Sequence, residues 1–177
     1  GKFDKTFLMV FGEYIPYYDQ IPWFEEIFPE AGQFARGNEV TTFDFKDYRL
    51  APMICLEDIV PAFSRRLAAL KPHMLVNITN DAWFGGNFGP RQHLAVARVR
   101  AVELGLPVIR VANTGISAVI DPHGRIKSQL PLGVAGVIVI PVIFLAGFLG
   151  IMAVAKDVVK DPSVALFSLA NEVMPDW

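Results

Sequence analysis

Cysteine is almost missing from this chain: Cys55 stands alone among 177 residues. A single thiol excludes an intrachain disulfide and any metal site built on cysteine pairs, and it leaves the redox compartment unreadable from pairing. Histidine is nearly as scarce. His73, His93 and His123 fall in separate segments and form no HExxH-like ligand pair, so the sequence gives no ground for a metal or any other cofactor. Charge is thin as well. Only 19% of residues are charged, the formal net charge is −2, and no basic stripe or acidic block occurs. Nucleic-acid binding therefore lacks electrostatic support. No repeat or low-complexity tract is present. No charged leader followed by an apolar run opens the chain, and residues 1–16 read as the interior of a domain. The expectation is that the chain begins inside a larger protein.

What is abundant is apolar. The 53% hydrophobic content excludes disorder and is high for a small soluble domain. The length suits one domain plus an appendage. Residues 3–11 are apolar-rich and expected to be extended. Residues 14–29 carry prolines and aromatics, which predicts a loop with one helical turn near 23–28. Thr41, Phe43 and Phe45 alternate with polar partners as in a strand, Lys46-Asp47 makes a turn, and 49–54 is a second strand. Pro61 suits a first helical turn, 62–70 follows in helix formers, and Pro72 ends it. Residues 74–79 read as a buried parallel strand and 80–90 as a glycine-containing loop. Residues 92–104 form an amphipathic helix with Leu94, Ala97, Ala101 and Leu104 on one face and Gly105 at its stop. Strands at 108–112 and 117–120 precede the turn Asp121-Pro122-His123-Gly124. Strand, helix, strand, helix, strand, then hairpins predicts an α/β layered domain with a mixed sheet.

From 128 to 155 there is no charged residue, and 133–155 is 23 residues long and almost wholly apolar. That meets the roughly 20 residues of a membrane span. Pro141 inside it supports a competing division into a strand at 137–142 and a shorter apolar helix at 144–155. The expected organisation is a catalytic portion over 1–142, an apolar segment at 143–155 as a candidate transmembrane helix whose span starts near 133, and a polar tail at 156–177. Two lysines in that tail are too few to orient a span.

Cys55 follows an apolar strand and precedes a helix. Such a turn presents a nucleophile while backbone N–H groups point at a developing oxyanion. A lone cysteine is more often a buried structural thiol. Glu57 and Asp58 follow at once, and anions beside a thiol disfavour its thiolate, so a reactive Cys55 calls for a nearby cation or base. Lys5 is one candidate cation, although a lysine in such a stretch is more often a solvated strand-edge residue. Glu13 has the same bland alternative at the surface.

Four segments together resemble the nitrilase (carbon–nitrogen hydrolase) superfamily, and within it the apolipoprotein N-acyltransferases. They are Phe3-Asp4-Lys5 with Phe11-Gly12-Glu13-Tyr14-Ile15-Pro16; Met53-Ile54-Cys55-Leu56-Glu57; Asn77-Ile78-Thr79-Asn80-Asp81-Ala82-Trp83-Phe84-Gly85; and a stretch from Gln92-His93 through Glu103 to Arg110-Val111-Ala112-Asn113-Thr114-Gly115-Ile116-Ser117. The resemblance covers about residues 2–135. It implies a nitrilase-like αββα fold and a Glu-Lys-Cys triad. Cys55 would attack an acyl ester, Lys5 would stabilise the oxyanion, and Glu13 and Glu57 would be supporting acids. Trp83 and Phe84 would contact substrate. The implied activity moves a fatty acyl chain from a phospholipid donor, through a Cys thioester, to the N-terminal cysteine amine of a lipoprotein. The implied setting is the bacterial inner membrane, with the catalytic domain facing the periplasm. The family's general-base glutamate lies upstream of its lysine motif, and only four residues precede Lys5. The expectation is therefore that these 177 residues alone are inactive. Met9-Val10 replaces the usual Val-Pro and Leu56 replaces a usual tyrosine. Two other functions stay open from the residues: a soluble nitrilase-type amidase acting on a small amide through Cys55, and a non-catalytic fragment or binding module.

Overall fold

The structure is a computed structural model that describes residues 1–18, 20, 23–27, 32–86, 88–142 and 148–154, with side-chain surroundings given through Ile138 except at Phe24 and Glu25. It divides into two compact units, Gly1–Thr41 and Thr42–Trp177.

In the first unit, the expected extended segment at 3–11 is irregular, not a strand. Its carbonyl groups meet scattered donors and not a strand ladder: Gly37 N–H donates to Lys5 O at 2.8 Å and Arg36 Nε to Thr6 O at 2.6 Å. The chain then doubles back. The Glu13 N–H donates to Met9 O at 2.8 Å, and Phe11 takes a left-handed φ of 62° to allow it. The predicted helical turn is α1, Phe24–Ile27.

The second unit is built on six strands in chain order: β1 Phe43–Phe45, β2 Tyr48–Ile54, β3 Met74–Asn80, β4 Val108–Asn113, β5 Ser117–Ile120 and β6 Ile126–Leu130. β2, β3 and β4 are parallel, while β1, β5 and β6 join antiparallel, so the sheet is mixed as predicted. Helices α2, Pro61–Ala68, and α3, Gly89–Leu104, make the two crossovers between the parallel strands. Pro61 and Pro90 sit in first turns, where no intrahelical N–H is needed. Gly105 closes α3 at φ 64°, a conformation that costs a side chain but not glycine.

Strand pleating sorts the side chains onto two faces. On one, Met74, Val76, Ile109, Val111 and Val119 form a core with Leu50, Ile78 and Leu130 packed on it. The opposite face carries Met53, Leu75, Val108 and Ile120, all fully buried, together with Asn77, Thr79 and Arg110. Phe63 and Leu67 of α2 and Leu94, Ala97 and Ala101 of α3 supply the helical layer. One sheet and one helical layer thus account for half of an αββα sandwich.

The apolar interval opens with the strand that the competing division expected at 137–142, and continues in a form that neither reading anticipated. β7, Gly136–Val142, pairs antiparallel with β8, Phe148–Val154. Residues 148–154 are therefore a strand where a helix over 143–155 was expected; 143–147 and the tail at 155–177 lie outside the described residues. No helix among the described residues is long and apolar enough to cross a membrane. Val137, Ile138, Val139, Ile140 and Val142 are β-branched, and Pro141 lacks the N–H a helix interior needs, so local preference favours extension. Ile138 is buried in the sheet core, 4% exposed.

Candidate active site

β2 ends at Ile54 and Cys55 opens a 3-10 turn, Cys55–Ile59. Cys55 has φ 53°, a left-handed backbone that costs a non-glycine residue about 1–2 kcal/mol. Strain of this kind persists only where surroundings enforce it. Two bonds enforce it here. The fully buried Glu57 carboxylate accepts the Ile54 N–H at 2.8 Å, and the Asn77 amide donates to Cys55 O at 3.1 Å. Cys55 itself is half-buried, so the thiol is neither sealed in the core nor loose at the surface.

Beneath this turn lies a cluster the sequence reading gave no role. His93, on α3, bonds Asp58 through Nε2 at 3.0 Å and Asp81 through Nδ1 at 2.8 Å. Arg110, on β4, donates to Asp81 at 2.7 Å and, through its other terminal nitrogen, to Asp58 and Asn77 at 3.4 Å each. The Thr79 hydroxyl donates to Asp81 at 3.1 Å. Asp58, Asp81, Asn77 and Arg110 are fully buried and His93 is 3% exposed. Burial alone opposes charge on Asp81, but His93 and Arg110 outweigh it and hold its carboxyl below the ordinary 3.8. For His93, burial likewise opposes charge. The bonds to Asp58 and Asp81 prevail and raise it above 6.5, with Arg110 pulling the other way. The acid beside Cys55 that the sequence flagged as an obstacle, Asp58, is thus faced by the Arg110 guanidinium and the His93 ring. Gly115 is required nearby: a Cβ there would stand 2.4 Å from Asp81 Oδ2.

Lys5 and Glu13 are brought together in the first unit. Lys5 Nζ contacts both Glu13 oxygens, at 2.5 and 2.6 Å, and Glu13 also accepts the Met9 N–H at 2.7 Å. The Lys5 side chain is 10% exposed, so the solvated strand-edge reading does not hold. The chain reversal at Phe11 is what carries Glu13 back to Lys5. Cys55 and Glu57 are brought together in the second unit. Trp83 is 63% exposed, and Phe84 is half-buried, its ring T-shaped to that of His93 with centroids 5.9 Å apart. Among the described residues, no group of three or more His, Cys, Asp or Glu is arranged to hold a metal ion.

The model of the carbon-nitrogen hydrolase family matches residues 4–143. This chain belongs to the carbon–nitrogen hydrolase family. Its relatives include the apolipoprotein N-acyltransferases of Bradyrhizobium diazoefficiens, 45% identical over 77% of this chain and 26% of that protein, and of Geobacter metallireducens, 39% identical over 75% and 25%. That of Pseudomonas putida is 44% identical over 74% and 26%. The chain spans about a quarter of the length of these relatives. Among solved structures, the glutamine-dependent NAD+ synthetase of Acinetobacter baumannii superposes with a TM-score of 0.51 at 18% identity, over 68% of this chain and 23% of that one. That likeness concerns the fold of this carbon–nitrogen hydrolase chain alone.

Proposed function

We propose that this chain is part of a bacterial lipoprotein N-acyltransferase and carries its nucleophile. The observation that supports this most is Cys55, the sole thiol, held at φ 53° at the carboxyl end of β2. In this reading the Cys55 thiolate attacks the ester carbonyl of a phospholipid. The ester C–O bond breaks, the lyso-phospholipid alkoxide leaves and takes up a proton, and the fatty acyl group remains as a thioester. The α-amino group of a lipoprotein's N-terminal cysteine then attacks. The C–S bond breaks, an amide forms, the amine gives up a proton and the thiolate returns. This is covalent catalysis in two half-reactions.

Lys5 is the oxyanion partner in this reading, oriented by Glu13; the ion pair at 2.5 Å keeps its ammonium in place. Glu57 fixes the entry to the Cys55 turn through Ile54 N–H. Trp83 and Phe84 contact the acyl chain, a role that the exposure of Trp83 permits. In this reading the protein works at the bacterial inner membrane on a phospholipid donor, with the catalytic domain facing the periplasm and a lipoprotein N-terminus as its acceptor. The general base is the glutamate that the family carries ahead of its lysine motif. Because no residue of the 177 matches it, this stretch assayed by itself is expected to lack sustained turnover.

Mass spectrometry after incubation with phospholipid vesicles tests the reading. One fatty acyl mass on the Cys55 peptide, absent in Cys55→Ser, is the expected result for a protein that includes the upstream glutamate. An adduct elsewhere, or release of ammonia from a small amide with no uptake of lipid acyl, would refute it.

A further inference from the structure

The buried cluster poses a protonation problem. His93 bonds one carboxylate through each ring nitrogen, at 2.8 Å to Asp81 and 3.0 Å to Asp58. An ionised carboxylate only accepts, and a neutral imidazole has a single N–H. Both bonds therefore form only if His93 carries two protons or one aspartate carries the second. The charged groups facing His93 are Asp58 from the turn after β2, Asp81 from the end of β3 and Arg110 from β4; the Phe84 ring packs T-shaped against it on a further side. With His93 cationic, two positive and two negative groups balance in a fully buried site, which is the arrangement low-dielectric surroundings tolerate. With His93 neutral, either both aspartates stay ionised, so that one of the two bonds is lost and net negative charge remains beneath the Cys55 turn, or the second proton sits on an aspartate that also accepts from Arg110, a placement the guanidinium disfavours.

Placement makes this matter. Asp58 stands three residues after Cys55 in a 3-10 turn, where side chains at that spacing eclipse. The same cluster reaches the backbone of Cys55, since Arg110 bonds the Asn77 amide oxygen and the Asn77 nitrogen bonds Cys55 O. We infer that His93 is a permanent imidazolium that neutralises Asp58 and so positions and electrostatically shields the Cys55 turn. His93 is then a positioning residue, acting through Asp58. The inference rests on Cys55 as the reactive thiol, yet its test needs no acyl transfer.

Histidine-labelled protein, with the His93 signal assigned by its loss in His93→Gln, is expected to show both ring nitrogens protonated well above the ordinary value of 6.5. Iodoacetamide alkylation of the sole thiol supplies the second readout. At fixed pH, His93→Gln leaves Asp58 facing Cys55 with one cation fewer and is expected to slow alkylation by roughly tenfold, the scale of a carboxylate's field on an adjacent group. Asp58→Asn removes that anion, should not slow alkylation, and lets His93 give up the proton on Nε2. The double variant should recover the wild-type rate. A purely structural role predicts damage in both single variants and no rescue. A singly protonated His93 in the wild type, or equal slowing in His93→Gln and Asp58→Asn, overturns the inference. Should His93→Gln fail to fold, the wild-type spectrum and Asp58→Asn alone still decide it.

Discussion

Arg110→Met is the most demanding perturbation of this molecule. Arg110 is fully buried and its guanidinium serves Asp81 at 2.7 Å and Asp58 and Asn77 at 3.4 Å. Methionine keeps much of the volume and removes the charge, leaving two buried carboxylates with His93 as their one remaining cationic partner in the cluster. Breaking a buried pair in this way typically costs about 3–5 kcal/mol. Against a total stability of about 5–15 kcal/mol, that is a large fraction. At about 2–4 °C per kcal/mol for a chain of this size, the midpoint should fall by about 6–20 °C. Thermal and urea unfolding followed by circular dichroism would measure it. Adding Asp81→Asn removes one orphaned charge, so the double variant should be less damaged than the two single costs summed, by about 0.5–3 kcal/mol. The acid limb gives an independent check. Asp81 is held below 3.8 in the fold, so its contribution is present above the unfolded value and lost as pH falls through the lower folded one. Arg110→Met should move that loss to higher pH. A midpoint unchanged within error, or strictly additive costs, would refute the argument that this cluster is one electrostatic unit.

Other outcomes follow from the same geometry. At φ 53°, Cys55→Gly should be more stable than Cys55→Ala by about 1–2 kcal/mol, whereas an ordinary strand end would reverse the order; denaturant melts of the two decide it. Gly115→Ala would put a methyl 2.4 Å from Asp81 and should destabilise the chain and raise its acid-unfolding midpoint, an effect absent if the loop simply shifts. In a protein containing the upstream glutamate, Lys5→Arg should slow Cys55 acylation, approaching the about 10²–10³-fold cost of losing one oxyanion donor, without lowering the melting midpoint. Full-speed acylation would leave the Lys5–Glu13 pair structural.

The order of elements was legible because short-range physics decides it. The alternation around Phe43 and the prolines at 61 and 90 mark element edges locally, and so does Gly105. The run Val108-Ile109-Arg110-Val111-Ala112 also held an unread signal. A charged residue inside a buried strand requires partners, and the sequence reading left Arg110 without any. His93, on the apolar face of α3 beside Leu94 and Ala97, was a second such signal. The strand at 137–142 was legible as one of two readings, but the strand at 148–154 was not, since a long apolar run satisfies helix length and strand preference alike; pairing of β7 with β8 is a tertiary outcome.

By itself the sequence determined which residues can do chemistry. It holds one thiol, so one nucleophile of that kind, and motif segments that name the family. It could not determine that Asp58, Asn77, Asp81, His93 and Arg110 meet, because they lie as far as 52 residues apart and converge only when β2, β3 and β4 align in parallel register under α3. Nor could it show that Lys5 is half-buried and paired with Glu13, since that depends on a reversal at Phe11 whose left-handed φ no local preference for phenylalanine favours. Tertiary structure decided both, because burial makes an unpaired charge too costly to leave and so selects the partners that sequence spacing hides.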